Sequence, residues 1–308
     1  MKKRIVCLIL AAILLTLSGC GAQSAASAAA SSTGRAQAGG DASAGASADD
    51  SSALPAGGEL QVYCFQAGAA DAILLTTDSS AVLIDTGESG FGKEIVSYLE
   101  TKGVTALDGL ILTHFDQDHV GGAAKVLSSV PVRAVYQSDC PKDSAEYKKY
   151  EAALEKAGLT AVTVRQSTAF LLDGVSYAID PPRQTDYSES PSNNSSLIIS
   201  AKYGARRFLF AGDAQDARLA EFLSEAPGTC DFLKVPYHGR WLSSLSAFFS
   251  AVRPAYAVIT SSEEEPESTQ TLNLLKSVGA ETFLTRTAPV LAVCDGTSLT
   301  VSYDEAGQ

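Results

Sequence analysis

The stretch His114-Phe115-Asp116-Gln117-Asp118-His119 sets two imidazoles and two carboxylates within six positions, after the apolar run Gly109-Leu110-Ile111-Leu112 and before Gly121-Gly122. A short apolar run, a polar cluster and a glycine pair read as a buried strand, a loop and the opening of a helix. Four metal-capable groups thus stand where a strand ends, the usual place for a site built on a rigid scaffold. Three more apolar runs end alike: Val82-Leu83-Ile84 in Asp85-Thr86-Gly87, Phe208-Leu209-Phe210-Ala211-Gly212 in Asp213, and Phe232 through Tyr237 in His238-Gly239. All three histidines of the chain fall at such ends. A lone histidine there is usually a polar cap; three in this pattern point to strand ends gathered at one edge around a metal cluster.

The N-terminus carries a different signal. Lys2-Lys3-Arg4, an apolar run from Ile5 to Leu17 and Ser18-Gly19-Cys20 have the layout of a secretory leader, and the run is short for a membrane span. Leu17-Ser18-Gly19-Cys20 resembles a bacterial lipobox, which implies a signal peptide over 1–19 and a lipidated Cys20 holding the protein on the outer face of the cytoplasmic membrane. A plain secreted protein is the alternative. Residues 20–58 follow as an Ala/Ser/Gly/Asp tether too poor in apolar side chains to fold, and 59–308 is long enough for one domain with a sizeable core.

Alternating periodicities over that domain read as α/β. Strands are expected at 60–65, 72–76, 81–84, 109–112, 133–136, 161–164, 175–179, 197–201, 207–210, 232–235, 256–259, 282–284 and 291–293. Helices are expected at 92–102, 122–128, 144–157, 241–252 and 268–278. Cys64, Cys140, Cys230 and Cys294 lack metal-ligand spacing and read as buried free thiols. A net charge of −12 and a pI near 4.7 weigh against a broad basic surface for nucleic acid, leaving Arg206-Arg207 and Arg240 as the suggestive basic positions.

Taken together, Asp85-Thr86-Gly87, the His114–His119 loop, Gly212-Asp213 and His238-Gly239 occur in the order and spacing of the metallo-β-lactamase fold superfamily. The chain resembles in particular the hydrolase domain of ComEC DNA-uptake channels and its stand-alone relatives. That group shares His-x-Asp-x-Asp-His and an Asn-Asn-Ser-Ser before an apolar strand, here Asn193-Asn194-Ser195-Ser196. The resemblance implies a four-layer αββα sandwich with a metal site at one edge. It implies two divalent ions, zinc or manganese: one on His114 and Asp116, the other on Asp118, His119 and His238, with Asp213 bridging and Asp85 supporting the loop from behind.

Two departures stand out. No histidine lies between His119 and His238, so the first ion keeps few protein ligands, and Tyr237 stands where the subgroup often has histidine. Asn194 or Ser195 could assist at the metals or substrate, or simply cap the next strand. Tyr237 could donate a proton to substrate, or pack; Arg240 could meet a phosphate oxygen, or stay solvated. Two ions about 3.5–4 Å apart would present a metal-bound hydroxide and stabilise the displaced oxygen, which is hydrolysis. Asp118 and Tyr237 are the side chains to which catalytic roles fall. Asp116 in place of an imidazole makes the site harder and favours a phosphoester, small or polymeric, with DNA allowed but unsupported by the overall charge. A carboxylic ester, amide or lactam hydrolase, or a ligand-binding lipoprotein that kept the fold, are the competing readings.

Overall fold

The computed structural model describes residues 58–304; the segments expected to form a leader, a lipidation site at Cys20 and a tether lie outside these residues, apart from Gly58. In chain order the elements are β1 (Leu60–Cys64), β2 (Ile73–Thr76), β3 (Ala81–Ile84), α1 (Gly92–Thr101), β4 (Gly109–Leu112), α2 (Gln117–Val120), α3 (Ala123–Ser129) and β5 (Val135–Gln137). There follow α4 (Ala145–Ala157), β6 (Val162–Thr163), β7 (Thr168–Leu172), β8 (Val175–Asp180), α5 (Pro191–Asn194), β9 (Ile198–Tyr203), β10 (Arg206–Phe210) and α6 (Asp216–Ser224). The last are β11 (Phe232–Lys234), a 3-10 turn (Pro236–Gly239), α7 (Leu245–Val252), β12 (Tyr256–Ile259), α8 (Thr269–Ser277), β13 (Glu281–Leu284), β14 (Val290–Cys294) and β15 (Leu299–Tyr303).

The strands form two sheets, ordered β15-β14-β1-β2-β3-β4-β5-β6 and β13-β12-β11-β10-β9-β8-β7. Side chains alternate across a strand, so an uninterrupted apolar run is stable only where both faces are covered. Val82, Ile84 and Ile111 point between the sheets with Ile199, Phe208 and Phe232, while Leu83, Leu110 and Leu112 meet Ile95, Leu99 and Val126 of the flanking helices. On the far side Leu209, Leu233 and Ile259 meet Leu219, Phe248 and Leu275. Three apolar layers separated by two sheets make an αββα sandwich, and each fully buried Leu, Ile or Phe contributes about 1.5–3 kcal/mol.

Topology places the site. β3 and β4 run parallel in one sheet, and β10, β11 and β12 run parallel in the other, so their C-terminal ends share an edge. β2 is antiparallel to β3 and β9 to β10, which brings the residues just before β2 and β9 to that edge too. The glycine pair after the ligand loop is sterically required: a Cβ on Gly122 would lie 2.3 Å from the Thr86 carbonyl oxygen, and one on Gly121 would lie 2.3 Å from the Ser89 nitrogen.

The expected pattern misses β7, β15, α6 and the one-turn helices α2 and α5. β7 and β15 are sheet-edge strands with no fully buried residue, so their apolar signal is weak. In α6 the inward stripe is interrupted by Arg218, which is fully buried because Asp180 takes its guanidinium at 2.6 Å. The helix expected from Trp241 begins only at Leu245: the Asp216 carboxylate accepts from the Ser244 backbone N–H at 2.8 Å, and Trp241 stays exposed. Cys64, Cys230 and Cys294 are buried free thiols as expected, whereas Cys140, also free, is partly exposed on the loop after β5.

Candidate metal centre

Three strand ends deliver the donors. β4 runs into His114 and the short helix α2, which carries Asp118 and His119; β10 ends before Asp213; β11 leads into the turn bearing His238. Asp118, His119, Asp213 and His238 each offer a ligand atom, all within 4.8 Å of one another. The Asp213 carboxylate is shared, Oδ1 standing 3.4 Å from His119 Nε2 and Oδ2 3.2 Å from His238 Nε2, while Asp118 Oδ2 lies 3.3 Å from His238 Nε2. The His114 ring packs 4.1 Å from that of His119, and its Nε2 is 3.8 Å from Asp116 Oδ2.

The outer nitrogens of the rings are tied down. His119 Nδ1 lies 2.8 Å from Asp85 Oδ2, and Asp85 also accepts from the Thr113 N–H at 2.8 Å and the Thr113 hydroxyl at 2.7 Å. His238 Nδ1 faces the carbonyl and hydroxyl oxygens of Thr260, both at 3.0 Å. Protons held on Nδ1 leave each Nε2 lone pair free, the tautomer a metal requires. Nε2 of His114, His119 and His238, together with Asp213 Oδ1, are buried without a hydrogen-bond partner. Unpartnered groups of this kind cost about 1–3 kcal/mol each, and here they converge, so the donor set fits a divalent cation.

The backbone is bent to aim these groups. Asp85, Tyr237 and His238 take left-handed conformations with φ of 56°, 52° and 50°. Such angles cost a non-glycine residue of order 1–3 kcal/mol and persist where surrounding contacts fix them, commonly at sites.

Electrostatics couples the centre tightly. Burial opposes a charge on His238, but Asp213 and Asp118 outweigh it and push its pKa up to about 9. His119 is likewise raised despite burial, by Asp213 and Asp85. Burial and the neighbouring His119 pull His114 down to about 4. Asp213 and Asp118 are held low against burial, the first chiefly by His238 and the second chiefly by His119. Protons therefore occupy in the metal-free protein the role a cation would take.

The sequence profile of the Metallo-beta-lactamase superfamily matches residues 66–260. The chain belongs to that superfamily. Its His/Asp cluster is suited to divalent metals. It is 29% identical over 170 residues to ComE operon protein 3 of Bacillus subtilis, covering 54% of this chain and 22% of that protein. Recombination protein 2 of Haemophilus influenzae is 28% identical over 211 residues, 67% of this chain and 25% of that protein. The match thus spans about a quarter of these relatives' length. In structure, the metallo-beta-lactamase fold protein YhfI of Bacillus subtilis superposes with a TM-score of 0.51 at 11% identity, covering 80% of this chain and 99% of that one, a likeness of fold.

Within this superfamily member, the other sequence-identified residues divide. Asp116, Asp118, Asp213, Tyr237 and Arg240 line an open cleft of about 620 Å³. The Arg240 guanidinium lies 5.1 Å over the Tyr237 ring and pairs with Glu265. Asn194 and Ser195 serve the fold: the Asn194 amide oxygen accepts from the Gln215 and Arg218 N–H groups at 3.2 and 3.1 Å, capping α6, and the Ser195 hydroxyl donates to the Ser192 carbonyl at 2.6 Å. Their neighbours Ser192 and Asn193 face the cleft instead. Arg206 pairs with Asp231 at 2.8 Å, and neither it nor Arg207 lines the cleft.

Sequence reasoning missed the layer beneath the metal donors. Lys234 is fully buried in β11, paired with Asp71, donating to the Gly212 carbonyl at 3.0 Å and standing 3.7 Å from Asp213 Oδ1. Asp71 in turn accepts from the Thr260 hydroxyl at 2.7 Å, the same hydroxyl that faces His238. A lysine inside the apolar run Phe232–Val235, and an acid just before β2, were the available signals.

Proposed function

We propose that the protein is an extracytoplasmic phosphodiesterase or nuclease, lipid-anchored through Cys20. Support for the substrate class comes from Asp116: a carboxylate beside His114 hardens the centre and suits manganese, or zinc, with a substrate whose oxygens coordinate metal directly. The relatives named for a ComE operon and for recombination point the same way. The leader-like N-terminus supports the location, and no helix among the described residues is long and apolar enough to cross a membrane.

Asp118, His119, Asp213 and His238 would hold a divalent ion, and His114 with Asp116 is what the chain offers for a second. Bound there, such ions supply Lewis acidity and a water acidic enough to ionise near neutral pH. The chain's own residues do the rest. Asp118, partly exposed on the cleft floor, accepts a hydrogen bond from the attacking water; the Tyr237 hydroxyl donates one to the oxygen that departs. Asp85 and Thr260 hold the imidazoles in register.

Purified protein loaded with Mn²⁺ or Zn²⁺ is assayed on bis-p-nitrophenyl phosphate and single-stranded DNA beside p-nitrophenyl acetate and a β-lactam. Phosphodiester cleavage that disappears in His119→Ala is expected. Preferential turnover of the carboxylic substrates, or none at all by metal-loaded protein, refutes the reading.

A further inference from the structure

The two halves of the centre are unequal. Asp118, His119, Asp213 and His238 form a compact donor group, whereas His114 and Asp116 stand outside it. A catalytic zinc site ordinarily has three protein ligands, and apart from the shared Asp213 the His114 side offers two, with the third histidine of the chain already used as His238. Asp116 is also committed elsewhere: its Oδ1 takes an ion pair from the Lys142 ammonium and a hydrogen bond from the Ser192 hydroxyl. Lys142 comes from the loop between β5 and α4, and its side chain is 42% exposed where Asp116's is 23%, so the pair is open to solvent and adjoins the cleft through Asp116, which lines it. An ammonium has three N–H donors, and Asp116 engages one.

The cleft needs such a charge. Five carboxylates line it, those of Glu88, Asp116, Asp118, Asp213 and Glu265, against the single guanidinium of Arg240, which Glu265 already pairs. An anionic substrate entering there meets net repulsion unless cations offset it.

We propose that Lys142 supplies the second positive charge of the centre: one divalent ion sits on Asp118, His119, Asp213 and His238, and the Lys142 ammonium, anchored on Asp116, receives a phosphoryl oxygen of the substrate. The substrate half rests on the phosphoester reading; the metal count does not. Tethered to the chain, this cation neutralises Asp116 and weakens the draw on a second ion.

Two measurements test it on the full chain. Calorimetric titration of metal-free protein with Mn²⁺, checked by elemental analysis after dialysis, gives one tight equivalent. Inorganic phosphate, titrated into Mn²⁺-loaded protein, binds about tenfold more weakly to Lys142→Met, the loss of one charge-assisted hydrogen bond, while Lys142→Arg keeps most of the affinity. Lys142→Gln replaces the methionine variant should that one fail to fold. Two tight equivalents in the wild type overturn the proposal, and so does phosphate affinity indifferent to Lys142. A protein inert to every phosphoester would sink the phosphoester reading, yet the metal count would still be decided by the first titration.

Discussion

Asp85→Asn exchanges one oxygen for an amide nitrogen at a fully buried position, and its consequences can be worked through atom by atom. Asparagine tolerates the left-handed backbone at φ 56° as aspartate does, so the variant isolates the side chain; alanine there would add about 1–2 kcal/mol of backbone cost. The amide oxygen can still accept from the Thr113 N–H, now 2.8 Å from Asp85 Oδ1. The amide nitrogen must then face His119 Nδ1, whose distance to Oδ2 is 2.8 Å. A donor there forces Nδ1 to become the acceptor and moves the ring proton to Nε2, the atom that would face the metal. Disturbing a partner of this kind typically lowers metal affinity 10–100-fold, or about 1.4–2.7 kcal/mol. Loss of the buried charge-assisted hydrogen bond should also lower the stability of the metal-free protein by about 1.5–3 kcal/mol. Competition titration of Mn²⁺ or Zn²⁺ against a chelator measures the first effect, and urea unfolding in EDTA the second. Metal affinity within twofold of wild type, with the stability loss present, would refute the argument that the Asp85 carboxylate sets the His119 tautomer.

Protons and metal compete for the same imidazoles. With His238 raised to about 9, metal binding below that pH must release its proton, so apparent affinity should climb with pH from 6 to about 9, roughly tenfold per unit for each proton displaced. In EDTA the sign reverses for stability: the pairing of protonated His238 with Asp213 and Asp118 is fully present below the ordinary histidine pKa of about 6.5 and lost as pH rises through about 9, so melting temperature should fall over that window. A flat metal-binding profile, or metal-free protein that gains stability toward pH 9, contradicts this. Gly122→Ala places a Cβ 2.3 Å from the Thr86 carbonyl oxygen and 2.8 Å from the Gly92 nitrogen. It should cost about 1–3 kcal/mol in urea unfolding and weaken metal binding, because the Thr86 N–H holds the His119 carbonyl at 2.7 Å.

The sandwich was readable because its interior strands are covered on both faces and so appear as unbroken apolar runs, as in Val82-Leu83-Ile84 and Leu110-Ile111-Leu112. Edge strands such as β15, alternating half-buried and exposed, gave too little contrast. The donors were readable for a related reason: a polar cluster after a buried strand has no packing explanation, and His114, His119, Asp213 and His238 all stand so. Asp71 and Lys234 were not, since each is an isolated charge whose partner lies 163 positions away and is adjacent only through the packing of one sheet on the other. Asn194 and Ser195 show the converse, residues conspicuous in sequence that the fold uses to cap α6 and shape a turn.

The hidden pair changes what the centre is electrostatically. Asp71, Asp85, Asp118 and Asp213 are gathered around His119 and His238, and four carboxylates so close cannot share a dry edge without compensating charge. Lys234 answers Asp71 from below and reaches toward Asp213, while protons on His119 and His238 answer the rest. Only the protons are exchangeable. A divalent ion that displaces them keeps the balance of charge, and Lys234, locked at zero exposure between Asp71 and the Gly212 carbonyl, cannot take that part. Metal-free protein is thereby held in nearly the geometry the ion requires, with the cost of gathering like charges met by folding rather than by binding.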